Sequence, residues 1–259
     1  MYVTSLILWY YFVMFKENFI NGKKIFVSDL IPGLTHIFTT RESFIKTKDE
    51  EYFNQVMQNK KDICEYLGIS EENLISPKQI HSTNIETAEA GRREYPDTDS
   101  VILTNKVQAV FLNFADCTPV ILFDKKNNIA ALVHAGWRGT AQSIVPKTLK
   151  VMVEKYGSNP QDIYAVIGPA ISKCCYEVGN DVFEQLETTV SDMSGLYREA
   201  ENNKFFVDLK GINKKQLNDM GIYQTDICPY CTSCNNDLFF SYRKENGTTS
   251  RYSAIIKLK

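Results

Sequence analysis

The sequence predicts a single α/β domain with a mixed β-sheet. Apolar runs of strand length alternate along the chain with segments of helical spacing, a pattern typical of α/β proteins. The 259 residues are enough for one large domain, and no internal repeat, low-complexity segment or clear linker divides them. We therefore expect one domain over residues 16–259, after an apolar extension over residues 1–15.

The extension carries no charged side chain and is mostly apolar. It is shorter than an ordinary membrane span, which needs about 20 residues, and it lacks the basic start and cleavage site of a signal peptide. Met14 opens a segment that resembles a normal N-terminus. We interpret residues 1–13 as the product of an upstream start site or as a poorly ordered extension, rather than as a membrane anchor.

Charge and cysteine content exclude several classes of protein. A formal net charge of −2 argues against a nucleic-acid binder, which usually carries a basic face. The cysteines number seven, and the chain is too long for a mini-protein stapled by disulfides. We therefore expect a protein of the reducing cytoplasm with no membrane partner. The cysteines occupy positions 64, 117, 174, 175, 228, 231 and 234.

Apolar periodicity predicts the elements of the first half of the chain. Apolar residues recur at helical spacing over residues 50–67, which predicts a helix that Gly68 ends. Pro77 then sets an extended path, so Gln79 and His81 are expected to point to the same face. Apolar runs predict strands over residues 25–30, 34–43, 101–103 and 109–114.

The second half of the chain continues this alternation. Thr140 is expected to cap a helix that begins at residues 139–140 and ends at Gly157. Residues 191–203 are expected to form a loop or a frayed helix. Further strands are predicted over residues 163–167, 205–209 and 254–258, and further helices near residues 181–186 and over residues 209–220.

A predicted β-hairpin at the centre of the chain brings two reactive side chains together. Cys117 opens one apolar run, His134 closes the next, and the polar residues 125–128 between the runs favour a turn. A hairpin places the start of its first strand beside the end of its second. We therefore expect Cys117 and His134 to lie side by side at one end of a sheet.

His81 is the third candidate ligand at this end of the sheet. Two histidines and a thiolate are a familiar zinc ligand set that leaves one position open. His81, Cys117 and His134 are far apart in sequence, which is typical of catalytic sites built on a scaffold. Two alternatives stay open. A buried histidine can be a hydrogen-bonded core residue, and Cys117 with His134 can form a cysteine-hydrolase dyad.

Each of the polar and small residues beside the hairpin has two interpretations. Asp116 is expected either to contact one of the histidines or to cap a helix or turn. Gly136 and Gly139 precede a helix, which suits either an anion site or tight packing between helix and sheet.

The other clustered cysteines favour packing and turns over a metal. Cys228, Cys231 and Cys234 lack a matching second pair at the usual spacing, so we favour a turn over a structural zinc site. Cys174 and Cys175 are expected to be a packed pair, since a disulfide between neighbours is strained.

Seven short motifs carry a resemblance to a known family. The chain resembles the bacterial YfiH-type laccase-domain family, labelled both polyphenol oxidase and purine nucleoside phosphorylase. The resemblance covers residues 31–258, and the element His-Ala-Gly-Trp-Arg-Gly is specific to the family. The motifs are Gln79-Ile80-His81, Ala115-Asp116-Cys117-Thr118-Pro119-Val120, His134-Ala135-Gly136-Trp137-Arg138-Gly139-Thr140, Ile167-Gly168-Pro169-Ala170-Ile171, Cys175-Tyr176-Glu177-Val178, Cys231-Thr232 and Phe240-Ser241-Tyr242-Arg243.

The resemblance implies a fold, a cofactor and an activity. It implies one domain of α/β/β/α layers with two stacked sheets, and a zinc held by the residues that match His81, Cys117 and His134. It also implies phosphorolysis of adenosine, inosine and S-methyl-5′-thioadenosine, which releases the base and ribose 1-phosphate, with adenosine deamination at the same site. For deamination we expect zinc to lower the pKa of a water that attacks C6 of adenine.

Four residues are expected to contact the purine nucleoside or the phosphate. Arg41 is expected to hold phosphate as a cation, and Gln79, Arg138 and Arg243 are further candidates. The family usually has a Gly-Gly pair soon after this first arginine. This chain has Glu42-Ser43 there, which predicts a stiffer loop.

Two other functions remain as alternatives. A copper-dependent, laccase-like polyphenol oxidase needs several coppers and many histidines, and the chain has three histidines. A single copper at the same site is chemically compatible, because copper binds nitrogen and sulfur ligands tightly. The other alternative is a non-catalytic, zinc-stabilised protein of cell-envelope metabolism.

Overall fold

The structure is a computed structural model that describes residues 15–259 of the chain. The expectations for residues 1–13 lie outside the described residues, and the domain boundary at residue 16 stays a prediction. The described helices are α1 (Phe53–Leu67), α2 (Trp137–Ala141), α3 (Ile144–Tyr156), α4 (Asn180–Glu187) and α5 (Leu209–Asp219). The described strands are β1 (Phe15–Ile20), β2 (Lys23–Ser28), β3 (Leu34–Thr39), β4 (Leu74–Ile75), β5 (Ile85–Ala88), β6 (Ser100–Leu103), β7 (Ala109–Phe114), β8 (Thr118–Asp124), β9 (Ile129–Ala135), β10 (Ile163–Ile167), β11 (Glu177–Gly179), β12 (Tyr197–Ala200), β13 (Lys204–Val207), β14 (Thr225–Ile227) and β15 (Tyr252–Leu258).

Two six-stranded mixed sheets form the centre of the molecule. The first sheet has the strand order β1-β2-β3-β15-β7-β4, and the second sheet has the order β14-β10-β8-β9-β6-β5. Most pairs are antiparallel, but β4 with β7, β5 with β6 and β10 with β14 are parallel. A small third sheet has the order β11-β13-β12.

The main hydrophobic core lies between the two large sheets, where Leu112 of the first sheet and Leu132 of the second belong to one buried cluster. On the outer face of the first sheet, Ile63 of α1 packs in a second cluster. On the outer face of the second sheet, Leu149 of α3 packs in a third. These α/β/β/α layers confirm the fold that the resemblance implies. Within residues 15–259, no helix is long and apolar enough to cross a membrane.

The central hairpin of β8 and β9 is present, and all residues of both strands are buried. One face of the hairpin meets the first sheet and the other meets α3. Because both faces are covered, the strands read as continuous apolar runs rather than as an alternation. The register pairs Thr118 with Ala135 and Pro119 with His134, which puts Cys117 beside the end of β9.

The predicted helix after the hairpin is wrong in two details. It is broken between α2 and α3 at Ser143, whose φ of 58° is left-handed and redirects the chain. Thr140 lies inside α2 and is not its N-cap. The Thr140 side chain is buried and accepts a hydrogen bond from Asn213 Nδ2 at 3.1 Å, so it ties α2 to α5 instead.

The loop predicted over residues 191–203 contains a strand, β12, which pairs with β13. Asn202 and Asn203 both have positive φ values and form the tight turn of this hairpin. The sheet is stabilised by α4, where Phe183 stacks on Phe205 with ring centroids 4.0 Å apart. β12 is largely exposed, and this exposure explains why its sequence lacks a strand pattern.

Candidate metal centre

Three segments deliver His81, Cys117 and His134 to one point at the edge of the sheets. Their ligand atoms all lie within 4.8 Å of one another, and Cys117 Sγ is 3.7 Å from His81 Nε2. Cys117 and His134 come from the two ends of the central hairpin, as predicted. His81 comes from the irregular segment between β4 and β5.

Asp99 holds the segment that carries His81. The backbone of His81 has a φ of 63°, which a non-glycine residue adopts only with support from its surroundings. Asp99 accepts hydrogen bonds from the amides of Ile80, His81 and Ser82 at 3.2, 3.1 and 2.7 Å. The Ser82 hydroxyl donates a further bond at 2.8 Å. One buried carboxylate therefore fixes the position of this ligand.

The same carboxylate orients His134. Asp99 Oδ1 lies 2.8 Å from His134 Nδ1. Burial raises the pKa of Asp99, but hydrogen bonds and charge at His134, with further bonds from Ser82, outweigh it and lower that pKa to about 2. The ionised carboxylate can only accept, so Nδ1 carries the proton and Nε2 is left for a metal. Sequence analysis missed Asp99, because it lies in a turn cluster far from the motifs.

Asp116 has the second of its two predicted roles, since it caps a turn over residues 242–246. Its carboxylate accepts hydrogen bonds from Thr232 Oγ1 and from the amide of Arg243, both at 2.7 Å. Its φ of 87° sets the direction in which the chain enters Cys117. Asp116 therefore joins the segment before β8 to the segment between β14 and β15. Neither of these two hydrogen bonds involves His81 or His134.

Charge is coupled between Cys117 and the two histidines. Burial opposes ionisation of the Cys117 thiol, but charge and hydrogen bonds from His134 and His81 outweigh it and lower its pKa to about 6. Burial likewise opposes protonation of His134, yet Cys117 and Asp99 raise its pKa to about 9. A proton on His134 therefore stabilises the thiolate at neutral pH. A bound cation would fulfil the same role.

The geometry of the three ligands fits a tetrahedral zinc ion. Zinc–sulfur and zinc–nitrogen bonds of about 2.3 and 2.0 Å place tetrahedral ligand atoms roughly 3.5 Å apart, close to the measured separation of Cys117 and His81. Gly136 provides the space, since a Cβ there would lie 2.9 Å from Cys117 Sγ and 3.1 Å from His81 Cδ2. A Cβ at Gly139 would instead lie 3.2 Å from Ile144 Cγ2, which favours tight packing at this position.

The three ligands open onto a cavity of about 1510 Å³. Arg138 and Arg243, both predicted from the sequence, line it. The cavity is also lined by cations and aromatic rings that were not predicted to contact substrate. Some lie in α1, α2 and β7 and others in loops, and those within the family motifs had no role assigned to them. These additional residues are Lys46, Lys48, Lys60, Lys78, Phe53, Phe111, Trp137, Tyr176, Tyr242 and Arg251.

The other two predicted substrate contacts have polar partners within the protein. Gln79 lines the cavity, but its side chain donates to the carbonyl of Asn113 at 3.0 Å and accepts from the amide of Asn113 at 2.8 Å. Arg41 is not among the cavity-lining residues. Its guanidinium pairs with Glu245 at 2.5 Å, donates to the carbonyl of Asn236 at 2.6 Å and lies over the ring of Phe240.

The third histidine of the chain, His36, is engaged elsewhere. It is buried, its Nε2 accepts from the amide of Ser28 at 2.8 Å, and its Nδ1 lies 3.1 Å from the carbonyl of Leu34. Burial lowers the pKa of His36 to about 4, against the hydrogen bond to Leu34. This histidine is therefore a neutral core residue rather than a further metal ligand.

A family model described as "Multi-copper polyphenol oxidoreductase laccase" matches residues 36–259. The chain belongs to this family. "Purine nucleoside phosphorylase YlmD" of Bacillus subtilis is 30% identical to it over 243 residues, covering 86% of this chain and 87% of that protein. The protein of the same name from Geobacillus stearothermophilus is 33% identical over 213 residues, covering 78% of each chain.

A solved structure of the laccase-domain family confirms the two-sheet architecture. The crystal structure of the Bacillus licheniformis hypothetical protein YfiH superposes with a TM-score of 0.87 at 26% identity, covering 96% of this chain and 100% of that one. The family description refers to several coppers. Within residues 15–259, the histidines that could ligate a metal are His81 and His134, together with Cys117, and His36 is engaged in the core.

Proposed function

We propose that this protein is a zinc-dependent purine nucleoside phosphorylase that also deaminates adenosine. The observation that carries the proposal is the position of the ligand set His81, Cys117 and His134, which borders a cavity rich in cations and aromatic rings. The names of the relatives from Bacillus and Geobacillus support the reaction class.

Zinc is the metal that we propose for this centre. A set of two imidazoles and one thiolate with an open position matches catalytic zinc sites. When bound, zinc supplies Lewis-acid chemistry at this end of the cavity. The protein's own contribution is to hold the two histidines through Asp99 and to stabilise the Cys117 thiolate.

Phosphate is the co-substrate that the cationic lining supports. Arg138 and Arg243 are exposed in the cavity. Arg251 also lines the cavity and is half-buried, with one guanidinium nitrogen donating to the carbonyls of Thr248 and Ser250. Guanidinium groups bind phosphate through paired hydrogen bonds. We assign phosphate to these three arginines. The expectation that Arg41 holds phosphate stays a prediction, since its guanidinium is paired with Glu245 and lies outside the cavity lining.

The purine nucleoside is the second substrate. Aromatic rings of Trp137, Tyr176 and Tyr242 line the cavity and offer faces for a flat base. In phosphorolysis a phosphate oxygen forms a bond to C1′ of the ribose while the C1′–N9 bond breaks. The base leaves with the bonding electron pair and takes up a proton. We propose adenosine, inosine and S-methyl-5′-thioadenosine as substrates.

Release of ribose 1-phosphate by the purified protein tests this proposal. The Cys117→Ala, His81→Ala and His134→Ala variants should each lose the ion at this centre, phosphorolysis and deamination together, since we propose that all three residues hold that ion. Cys64→Ala is the matched control, because Cys64 is buried in a different cluster. A wild-type protein that is stripped of metal and still fully active would contradict the mechanism.

Metal analysis separates zinc from the copper alternative. After expression in medium balanced for both metals, we expect zinc in excess at this centre, and excess copper with phenol oxidation would favour the oxidase. A zinc protein with neither activity would favour the non-catalytic alternative. The free cysteines of the described structure support a reducing compartment, and we propose the cytoplasm.

A further inference from the structure

Four cysteines form a second cluster away from the candidate metal centre. The Sγ atoms of Cys174, Cys175, Cys231 and Cys234 all lie within 4.8 Å of one another. Cys234 Sγ is 3.5 Å from Cys174 Sγ and 3.4 Å from Cys175 Sγ. From the sequence we expected a packed pair and a turn here. Neither Cys174 with Cys175 nor Cys231 with Cys234 provides four metal ligands by itself, and the sequence does not show that the two pairs meet.

Two loops build this cluster. Cys174 and Cys175 lie in a turn after β10, which is closed by the amide of Cys175 donating to the carbonyl of Ser172 at 2.9 Å. Cys231 lies after β14 and forms an isolated parallel bridge with Ala170. The amide of Ser172 donates to Cys231 Sγ at 3.3 Å. An amide that points at sulfur stabilises a thiolate, which is the form that binds metal.

We propose that Cys174, Cys175, Cys231 and Cys234 form a structural site for one zinc ion. Zinc–sulfur bonds of about 2.3 Å in a tetrahedron place the sulfurs roughly 3.8 Å apart, close to the observed separations. A disulfide would require about 2.05 Å. An iron–sulfur cluster is wider than a single ion and would hold its cysteine sulfurs farther apart. The set is closed, with four protein ligands, as structural zinc sites are.

Lys210 provides a buried positive charge beside the loop that carries Cys231. It is 5% exposed, and its Nζ donates to the carbonyls of Cys228 and Tyr230 at 2.8 and 3.1 Å. Both acceptors are neutral carbonyl groups, so neither of them neutralises the charge of the ammonium group. Four thiolates around a zinc ion carry a net charge of about −2, which a buried ammonium would partly offset.

The proposed site joins the two loops that border the candidate metal centre. Thr232, the residue after Cys231, donates to Asp116, which precedes Cys117. Tyr176, the residue after Cys175, lines the cavity. A zinc ion between the two loops would therefore hold both of these contacts in place, and it would do so without taking part in the reaction.

Cys228 provides a matched control for this site. It belongs to the same run of three cysteines in the sequence as Cys231 and Cys234, but it is buried in the main core and lies outside the group of four. Cys228→Ala should therefore leave the metal content unchanged, whereas Cys174→Ser with Cys234→Ser should remove one ion.

Metal stoichiometry of the full chain, purified under reducing and zinc-replete conditions, tests the proposal. We expect about two zinc ions per chain in the wild type and about one in the Cys174→Ser, Cys234→Ser protein. The Cys117→Ala protein should also retain about one ion. A wild type with a single zinc that Cys117→Ala removes would overturn the second site and leave the proposed function untouched.

Cobalt substitution keeps the test independent of how the variants fold. Cobalt bound to the Cys117→Ala protein should show thiolate-to-metal absorption of the intensity expected for four thiolates, because the four-cysteine cluster is then the loaded site. Absorption typical of one thiolate, or of none, would contradict the proposal. Phosphorolysis retained by the Cys117→Ala protein, with this spectrum also retained, would count against the proposed function alone.

Discussion

The substitution Asp99→Asn should weaken metal binding while it changes few atoms. Asp99 is 0% exposed and accepts from His134 on one oxygen and from Ser82 and Ile80 on the other. An asparagine has one oxygen and one NH₂ group, so its NH₂ must face one of these two sets of donors. If it faces His134, the imidazole must accept at Nδ1 and carry its proton on Nε2, where the metal should bind.

The magnitude follows from either orientation of the amide. Removing a carboxylate that orients a metal-binding histidine typically costs 10–100-fold in metal affinity, or about 1.4–2.7 kcal/mol. If the NH₂ group instead faces the Ser82 and Ile80 amides, buried donors lose their acceptor at a cost of about 1–3 kcal/mol in folding free energy. The first orientation puts the proton of His134 where the metal should bind, and the second weakens the hold of Asp99 on the segment that carries His81. We therefore expect a weaker zinc site in both cases, and a less stable protein in the second.

Competition with a zinc-selective fluorescent chelator measures this effect. Asp97→Asn is the control, since Asp97 lies in the same turn but is exposed, with Lys78 at 3.7 Å as its ion-pair partner. Thermal unfolding of both proteins reports the change in stability. An Asp99→Asn protein that is folded and binds zinc within about threefold of the wild type would refute the role we give this carboxylate.

Three further predictions test the site and the cavity. Gly136→Ala should weaken zinc binding in the same chelator assay, because its Cβ would lie 2.9 Å from Cys117 Sγ; unchanged affinity would show that the ligands can shift. In metal-free protein, alkylation of Cys117 should accelerate as pH rises through about 6, where the thiol becomes a thiolate. Alkylation of Cys64 should stay slow over the same range, because burial raises the pKa of that thiol. A midpoint for Cys117 near that of a free thiol would contradict the charge coupling between Cys117 and His134. Arg251→Met should raise KM for phosphate while the zinc content stays unchanged. Lys150→Met, on the exposed face of α3, is the control and should leave KM unchanged; a KM for the Arg251→Met protein equal to that of the wild type would remove Arg251 from the phosphate site.

The parts of the fold with strong local patterns could be predicted from the sequence. The helix predicted over residues 50–67 corresponds to a 3₁₀ turn followed by α1, and Gly68 ends it with a φ of 64°. The strand over residues 163–167 is β10 with the same bounds. Continuous apolar runs and glycine residues that end helices are local signals, so they can be recognised without knowledge of the tertiary structure.

The candidate site was only partly predictable, because some of its contacts link distant segments. The hairpin placed Cys117 beside His134 through local turn chemistry. Asp99 meets His134 across 35 positions, and no local pattern distinguishes it from the other residues of its turn. Cys174 likewise meets Cys234 across 60 positions. Such pairings depend on the order of strands in the sheets, which periodicity does not contain.

The position of β15 has a consequence for synthesis of the protein. β15 is inserted between β3 and β7, so the first sheet is divided until residues 252–258 leave the ribosome. At a translation rate of about 5–20 residues per second, β15 follows β7 after roughly 7–28 s. The Phe114 ring contacts His134 and pairs with Tyr252 of β15. The pocket around the ligands is therefore completed only after residues 252–258 have emerged and paired, and metal loading should follow that step.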